Sequence, residues 1–303
     1  MNGRRLLISF DHREAAMFSP QEIVIEHFIK ELDAAYRETY TMVEPQLGHV
    51  IRWVARLALE NIANSDALYH NVEHTIMVTL VGQSILRGRH LAEGGITPSD
   101  WLHFMMAVLC HDIGYVRGVC RADTETHVAT GIDDQVIALD RSGTDAALTP
   151  YHVDRSKLFV NERFGQNLIA DVNAGLICSY IEMTRFPVPA DAKYQATNGY
   201  PSLVRAADFI GQLGDPSYLR KVPALYYEFA ETGVNAKVGY DSPNHMRQSF
   251  THFYWNVVRP YIPDALEYLN VTQEGRQWIA HLNSHVFAVE HGELSNGIRA
   301  NRA

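Results

Sequence analysis

The chain has 303 residues, an apolar fraction of 47% and a net charge of −9 from 26 basic and 35 acidic side chains. That length buries one large core or two modest ones, no apolar stretch is long enough to span a bilayer, and an acidic chain without a basic block argues against nucleic-acid binding. Cys110, Cys120 and Cys178 are odd in number and contain no Cys-x-x-Cys, which reads as reduced thiols in a cytoplasmic protein.

Asp11, His12, Arg13 and Glu14 cut off the short apolar start, so no secretory signal is expected, and residues 1–18 read as a loosely attached N-terminal segment. Ser19-Pro20 is a helix start, with Ser as cap and Pro in the first turn. Ile23, Phe28, Ile29 and Leu32 then share one face of a predicted helix over 20–36. A second helix is predicted over 42–65, carrying Ile51, Val54, Leu57, Leu59 and Ile62, and Asn64-Ser65-Asp66 interrupts it. Asn71 is a suitable N-cap for a helix through 75–87. His70 then lies just before that helix and His74 in its first turn, both able to face one pocket. Gly94-Gly95 and Thr97-Pro98-Ser99-Asp100 mark a loop and a new helix start, and the apolar run Trp101 to Cys110 delivers His111-Asp112 at its C-terminal end.

Further on, the pattern predicts a mixed helical segment over 123–140 and a turn at 141–145. A long helix follows from Asp154 through Ile169 to Ile181, stopped by Pro187 and Pro189. Leu203 to Leu213 is an apolar helix broken by Gly214-Asp215-Pro216. Further helices are expected over 218–231, 249–269 and 274–289, and then a flexible tail over 292–303. No period-2 strand is evident. The expected architecture is an all-α multi-helix bundle forming one domain over 19–291.

Imidazole and carboxylate together suit a divalent metal, and a buried helix that ends in His-Asp needs something to satisfy those groups. Asp208 is a carboxylate in the apolar run Val204 to Ile210, where it is otherwise out of place. The stretch Tyr69-His70-Asn71-x-x-His74, with Met106 to Cys110 leading into His111-Asp112, resembles the HD superfamily of metal-dependent phosphohydrolases. It is most similar to the class I cyclic nucleotide phosphodiesterase catalytic domain, whose signature is Tyr-His-Asn-x-x-His. Ala207-Asp208, with Asp215-Pro216 and the helix through Glu228-Phe229, resembles that family's later Ala-Asp, Pro and Phe-rich helix. The likeness runs from about residue 45 to 280 and also covers Phe253 to Pro260 and Gly275-Arg276-Gln277-Trp278.

The resemblance implies an HD-domain, phosphodiesterase-like bundle with one or two divalent ions, Zn, Mg, Mn or Fe. It implies His74, His111, Asp112 and Asp208 as metal ligands and His70 as the acid that protonates the leaving oxygen. It makes Asp112 the carboxylate shared by two ions, the second relying mainly on Asp112 and waters, with a metal-bridging hydroxide attacking phosphorus. The implied substrate is a small-molecule phosphate ester, a 3',5'-cyclic nucleotide first. Tyr69, Gln248 and Phe253 are candidates to line the substrate pocket.

Three positions depart from the family pattern. Phe159-Val160-Asn161-Glu162 follows Ser156-x-Leu158 where the family has Glu-Asn-His-His, Arg185 stands where an Asp is expected, and Phe250 stands where a glutamine holds the purine edge. His127 and His152 are candidates for extra metal ligands, because HD enzymes with more histidines place them after His-Asp; exposed or turn histidines are the simpler reading. His103 and Cys110 read as core residues, and a buried Asp208–Arg205 pair is the structural alternative for Asp208. Rival functions are other HD chemistry (a nucleotide triphosphate or alarmone hydrolase, a di-iron oxygenase) and a degenerate HD protein that only binds its ligand. The oligomeric state is left open by the sequence.

Overall fold

The computed structural model describes residues 19–41, 43–140, 142–165, 169 and 171–300, with side chains to residue 292. The expected N-terminal segment at 1–18 and the last residues of the expected tail, 301–303, lie outside the described residues.

Ser19 caps α1 (Pro20–Tyr40), its Oγ accepting from the Glu22 amide at 3.3 Å. The buried stripe is Ile25, Phe28, Ile29, Leu32 and Tyr36, spaced i, i+3, i+4, i+7 and i+11. Ile23 falls off that stripe and is 53% exposed, contrary to the expectation for it. α2 (Pro45–Ile62) buries Ile51, Val54, Leu59 and Ile62 and packs on α1. α3 (Val72–Glu93) starts at Asn71, whose Oδ1 accepts from the Glu73 and His74 amides. A capping box between Thr97 and Asp100 opens α4 (Pro98–Cys110), in which every residue from Trp101 onward is buried. His103 is satisfied there: Nδ1 lies 2.6 Å from the Ser99 carbonyl, and Nε2 accepts from the Asn173 amide at 2.8 Å.

The helical segment expected over 123–140 is instead a small hairpin. β1 (His127–Ala129) pairs antiparallel with β2 (Val136–Ala138), Val128 opposite Ile137. Gly131, Asp133 and Asp134 have φ of 78°, 47° and 54°, which a right-handed helix does not admit. The long helix expected from 154 to 181 is two helices, α5 (His152–Phe164) and α6 (Ala174–Ile181). Gly165 closes the first, and the Asn173 side chain caps the second by accepting from the Leu176 amide.

α7 (Tyr200–Leu213) and α8 (Tyr218–Glu231) follow as expected, then three short helices, α9 (Val234–Val238), α10 (Pro243–Gln248) and α11 (Phe250–Phe253). The helix expected over 249–269 breaks into α11, a π turn at Tyr254–Val258, a 3-10 turn at Arg259–Tyr261 and α12 (Pro263–Leu269). Pro260 and Pro263 supply no amide to continue the ladder. α13 (Gln273–Ala300) extends past the expected end near 289 and runs through Gly292.

The result is helical, with β1 and β2 the only strands among the described residues. No helix among them is long and apolar enough to cross a membrane. Cys110, Cys120 and Cys178 are free, and burial pushes the Cys110 thiol up to about 12.

Two close approaches position the site. α3 is central, packed on α4, α7 and α12. At its crossing with α7, a Cβ on Gly211 would come within 2.6 Å of Val78 Cα, so the two backbones meet with no side chain between them. Gly114, in the turn Ile113–Tyr115, leaves no room for a Cβ against the His152 carbonyl and so admits the start of α5.

Candidate active site

The cap on α3 fixes the first two histidines. With Asn71 holding the first turn, His74 points inward, 4% exposed, and His70 precedes the helix. Glu228, from the last turn of α8 and fully buried, holds that preceding segment: Oε1 accepts from the Tyr69 and His70 amides at 2.6 and 3.2 Å. Its Oε2 lies 2.5 Å from His70 Nδ1. Burial opposes charge on His70, but the Glu228 carboxylate outweighs it and raises the imidazole to about 9. Glu228 is itself held below the ordinary carboxylate range: burial acts against that, and the His70 charge overrides it.

α4 supplies the next pair. His111 Nδ1 donates to the Val108 carbonyl at 2.8 Å, which leaves the lone pair on Nε2. Ser156 braces the following turn, donating to the His111 carbonyl at 2.7 Å and accepting from the Gly114 amide at 2.9 Å. Fully buried Arg155 donates to the Gly114 and Val116 carbonyls and to Asp123. The α3–α7 crossing brings in Asp208.

Four side chains converge. His74 Nε2 lies 3.2 Å from Asp112 Oδ2 and 3.5 Å from Asp208 Oδ1. His111 Nε2 lies 3.1 Å and 3.6 Å from the same two oxygens. His74, His111 and Asp112 each offer a ligand atom within 4.8 Å of the others. The two Nε2 atoms and Asp112 Oδ2 are buried without a hydrogen-bond partner. Buried polar atoms are ordinarily satisfied, so three orphans facing one point fit a cation. The electrostatics agree: burial would raise the Asp208 carboxyl, yet the two histidines hold it down at about 2. Burial would likewise lower His111, but Asp112 pulls it well above the ordinary imidazole value. The cluster therefore calls for positive charge, which a divalent ion would supply in place of protons. Arg205 is not the partner of Asp208; it donates to the Tyr194 and Ala196 carbonyls and lies over the Tyr261 ring.

Of the two extra histidines, the structure brings only His152 to the cluster. Its Nε2 is 3.8 Å from Asp112 Oδ1, and its Nδ1 is 2.6 Å from the Thr149 carbonyl. Burial lowers its pKa from the ordinary value. Tyr115 stacks between His152 and His70, with ring centroids 4.6 and 4.5 Å away. His127 is exposed on β1, its Nδ1 2.9 Å from Thr126 Oγ1, and it does not line the cavity.

That cavity opens from His70, Asp112, His152 and Asp208 onto an apolar wall that includes Phe186, Phe209, Phe250 and Phe253. Phe253, a candidate from the sequence, lines this cavity. Tyr69 does not line the cavity: it is buried with its ring against His70, His74 and Tyr218. Gln248 is exposed on α10 and also outside the cavity. The amide on the wall is Gln212, one turn after Asp208 on α7.

Residues 18–292 match a family described as Npun_R2479-like. The chain belongs to this family. Among solved structures, the Npun_R2479-like chain is similar to the phosphodiesterase domain of the RhoPDE fusion protein from the choanoflagellate Salpingoeca rosetta. The identity is 16% and the TM-score 0.51, over 92% of this chain and 95% of that one, which shows a shared fold. No curated protein matches.

Two cavity-side features of this Npun_R2479-like protein escape sequence reasoning, Glu228 and Gln212. Glu228 carries the same signal that singles out Asp208: a carboxylate within an apolar helix, here Leu225 to Phe229. Gln212 has no such signal, because a glutamine near a helix end is ordinary. Arg185, which stands where an Asp is expected, is absorbed in an ion cluster, donating to both Asp154 oxygens at 3.0 and 2.8 Å and to Glu182.

Proposed function

We propose that this Npun_R2479-like protein is an HD-type metal-dependent phosphohydrolase acting on a small phosphate ester, with 3',5'-cyclic nucleotides as the leading substrates. The observation that carries the reading is the set of orphaned ligand atoms on His74, His111 and Asp112, facing one point beside a charged His70. His74, His111, Asp112 and Asp208 would hold the ion. A divalent ion bound there supplies Lewis acidity toward a phosphoryl oxygen and lowers the pKa of water.

The protein's own groups do the rest. His70, kept protonated by Glu228, is the acid that delivers a proton to the leaving oxygen. The stacked Tyr115 ring keeps the His70 imidazole in plane. The aromatic wall receives the flat organic part of the ester and excludes water from it, while the phosphate meets the polar end. The similarity in fold to a phosphodiesterase domain supports the same chemistry.

The test separates His70 from His74. His74→Ala should lose both metal and activity. His70→Ala should keep its metal and slow turnover by about 10²–10⁴-fold, the usual contribution of general acid catalysis. That loss should shrink for nitrophenyl phosphodiesters, whose leaving groups need little protonation. If His70→Ala loses metal as fully as His74→Ala, or slows both substrate types equally, the assignment is wrong. Protein purified without added metal that contains none, and that hydrolyses no phosphate ester on adding Zn, Mg, Mn or Fe, removes the reading altogether.

A further inference from the structure

We propose that the cleft between α1 and α3 is a second ligand site, built for a small zwitterion that carries a carboxylate and an ammonium on a short apolar frame, the chemistry of a free amino acid. The inference goes beyond the phosphohydrolase reading and does not depend on it, since no residue lines both this cleft and the candidate active site.

The cleft has a volume of about 270 Å³, far more than the ~10–15 Å³ that a single water needs. Gln83 and Arg87 stand on its α3 wall and Glu31 and Glu38 on its α1 wall. Phe28, Leu32 and Leu80 supply apolar surface. The deciding group is Gln83, which is 9% exposed. The Trp101 indole can only donate, and its Nε1 lies 2.6 Å from Gln83 Oε1. That contact fixes the amide, with its oxygen turned to α4 and its NH2 left to the cleft. Among the described residues Gln83 Nε2 has no hydrogen-bond partner. A buried donor in that state costs free energy until an acceptor meets it. Arg87, one turn further along the same face of α3, adds positive charge. Its guanidinium reaches one Glu274 oxygen only at 3.8 Å, while Ser84 donates to the other at 2.9 Å. The α1 wall has the opposite sign. Glu31 and Glu38, two turns apart, have no ion-pair partner among the described residues.

These walls select the ligand by elimination. A phosphate or a simple carboxylate would suit Gln83 and Arg87 but be repelled by the two glutamates. A polyamine would suit the glutamates but leave the amide unmatched and face Arg87. A zwitterion satisfies both walls at once, its carboxylate on Gln83 and Arg87, its ammonium on Glu31 and Glu38, and its carbon frame on the apolar surface.

The experiment screens the common L-amino acids, one at a time, for a rise in the melting temperature of the full chain. The best binder is then measured by calorimetry beside its decarboxylated amine and its deaminated acid. The amino acid should bind at one equivalent, and each half-charged analogue at least about 10-fold more weakly, the usual worth of one hydrogen bond to a charged group. Gln83→Glu keeps an acceptor for Trp101 and replaces the NH2 by an oxygen, so it should lose the amino acid and bind the amine more tightly than the wild type does. Glu31→Gln combined with Glu38→Gln changes only exposed side chains, so it should melt like the wild type and weaken the amino acid about 3- to 10-fold. No amino acid raising the melting temperature, or binding unchanged in both variants, overturns the site. Either analogue binding as tightly as the amino acid overturns the zwitterion.

Discussion

Replacing Glu228 by glutamine tests the proton economy of the site. The substitution keeps the shape and an acceptor for the Tyr69 and His70 amides but removes the charge beside His70. With Glu228 present, His70 titrates at about 9 against an ordinary 6.5, burial opposing and the carboxylate prevailing. That difference is worth about 3 kcal/mol in favour of the imidazolium. At about pH 8, an imidazole of pKa about 9 is roughly 90% protonated and one of 6.5 roughly 3%, so the supply of acid falls about 30-fold. Without Glu228, burial still lowers His70 while the Asp112 and Asp208 carboxylates still raise it.

The assay is kcat/KM for a cyclic nucleotide from pH 5 to 10, with metal content checked at each point. Glu228→Gln should move the alkaline limb to lower pH by about two units or more and leave metal content unchanged. Stability shifts in parallel. Because the folded-state pKa is raised, the His70 contribution is complete below 6.5 and is lost as pH rises through about 9, and the variant should lack that alkaline loss. A uniform fall in rate at every pH, with the limb unmoved, would refute the role of Glu228 in charging His70.

Three further outcomes follow from the geometry. With Phe250 on the cavity wall and Gln248 outside it, cyclic AMP and cyclic GMP should be hydrolysed with similar kcat/KM; Gln212→Leu should raise KM for nucleotides about 3- to 10-fold and spare bis(nitrophenyl) phosphate, as loss of one neutral hydrogen bond predicts. Measuring all three substrates on both proteins checks this, and a strong base preference that survives Gln212→Leu would deny the amide a reading role. Gly211→Ala forces a methyl onto the Val78 backbone, so it should cost about 1–3 kcal/mol in urea unfolding and weaken metal binding by parting His74 from Asp208. Glu182 is held at about 2 because bonds from Arg185, Lys157 and Tyr194 outweigh its burial; its contribution is complete above 4.5 and lost as pH falls through about 2, so Glu182→Gln should flatten the acid limb of the urea-unfolding free energy.

The parts of the site legible in the sequence are those fixed by local chemistry. Asn71 announces the start of α3 and so places His74 in its first turn, and the unbroken apolar run of α4 announces a buried end at His111-Asp112. Asp208 stands out because its neighbours along α7, Val204 to Ile210, are almost all apolar. What the sequence does not display depends on contacts between distant segments. Glu228 meets its partner His70 across 158 positions. His152 reaches Asp112 only because Gly114 permits two backbones to touch, and nothing in Tyr151-His152-Val153 signals that approach. The hairpin at 127–138 has three-residue strands, too short to show alternation, and its turn depends on residues at positive φ. Tyr69 reads as a pocket aromatic from its motif, but a ring wedged between His74 and Tyr218 has no free face for a ligand.

α8 carries two jobs within a single turn. Leu225 and Phe229 line the cavity, and Glu228 between them grips His70, the proposed acid. An ill-fitting organic group that tilts this turn moves the carboxylate with it, and His70 follows. On the proposed function, discrimination among substrates would be expressed in turnover more than in binding: a poor substrate would be held, and then wait for its proton.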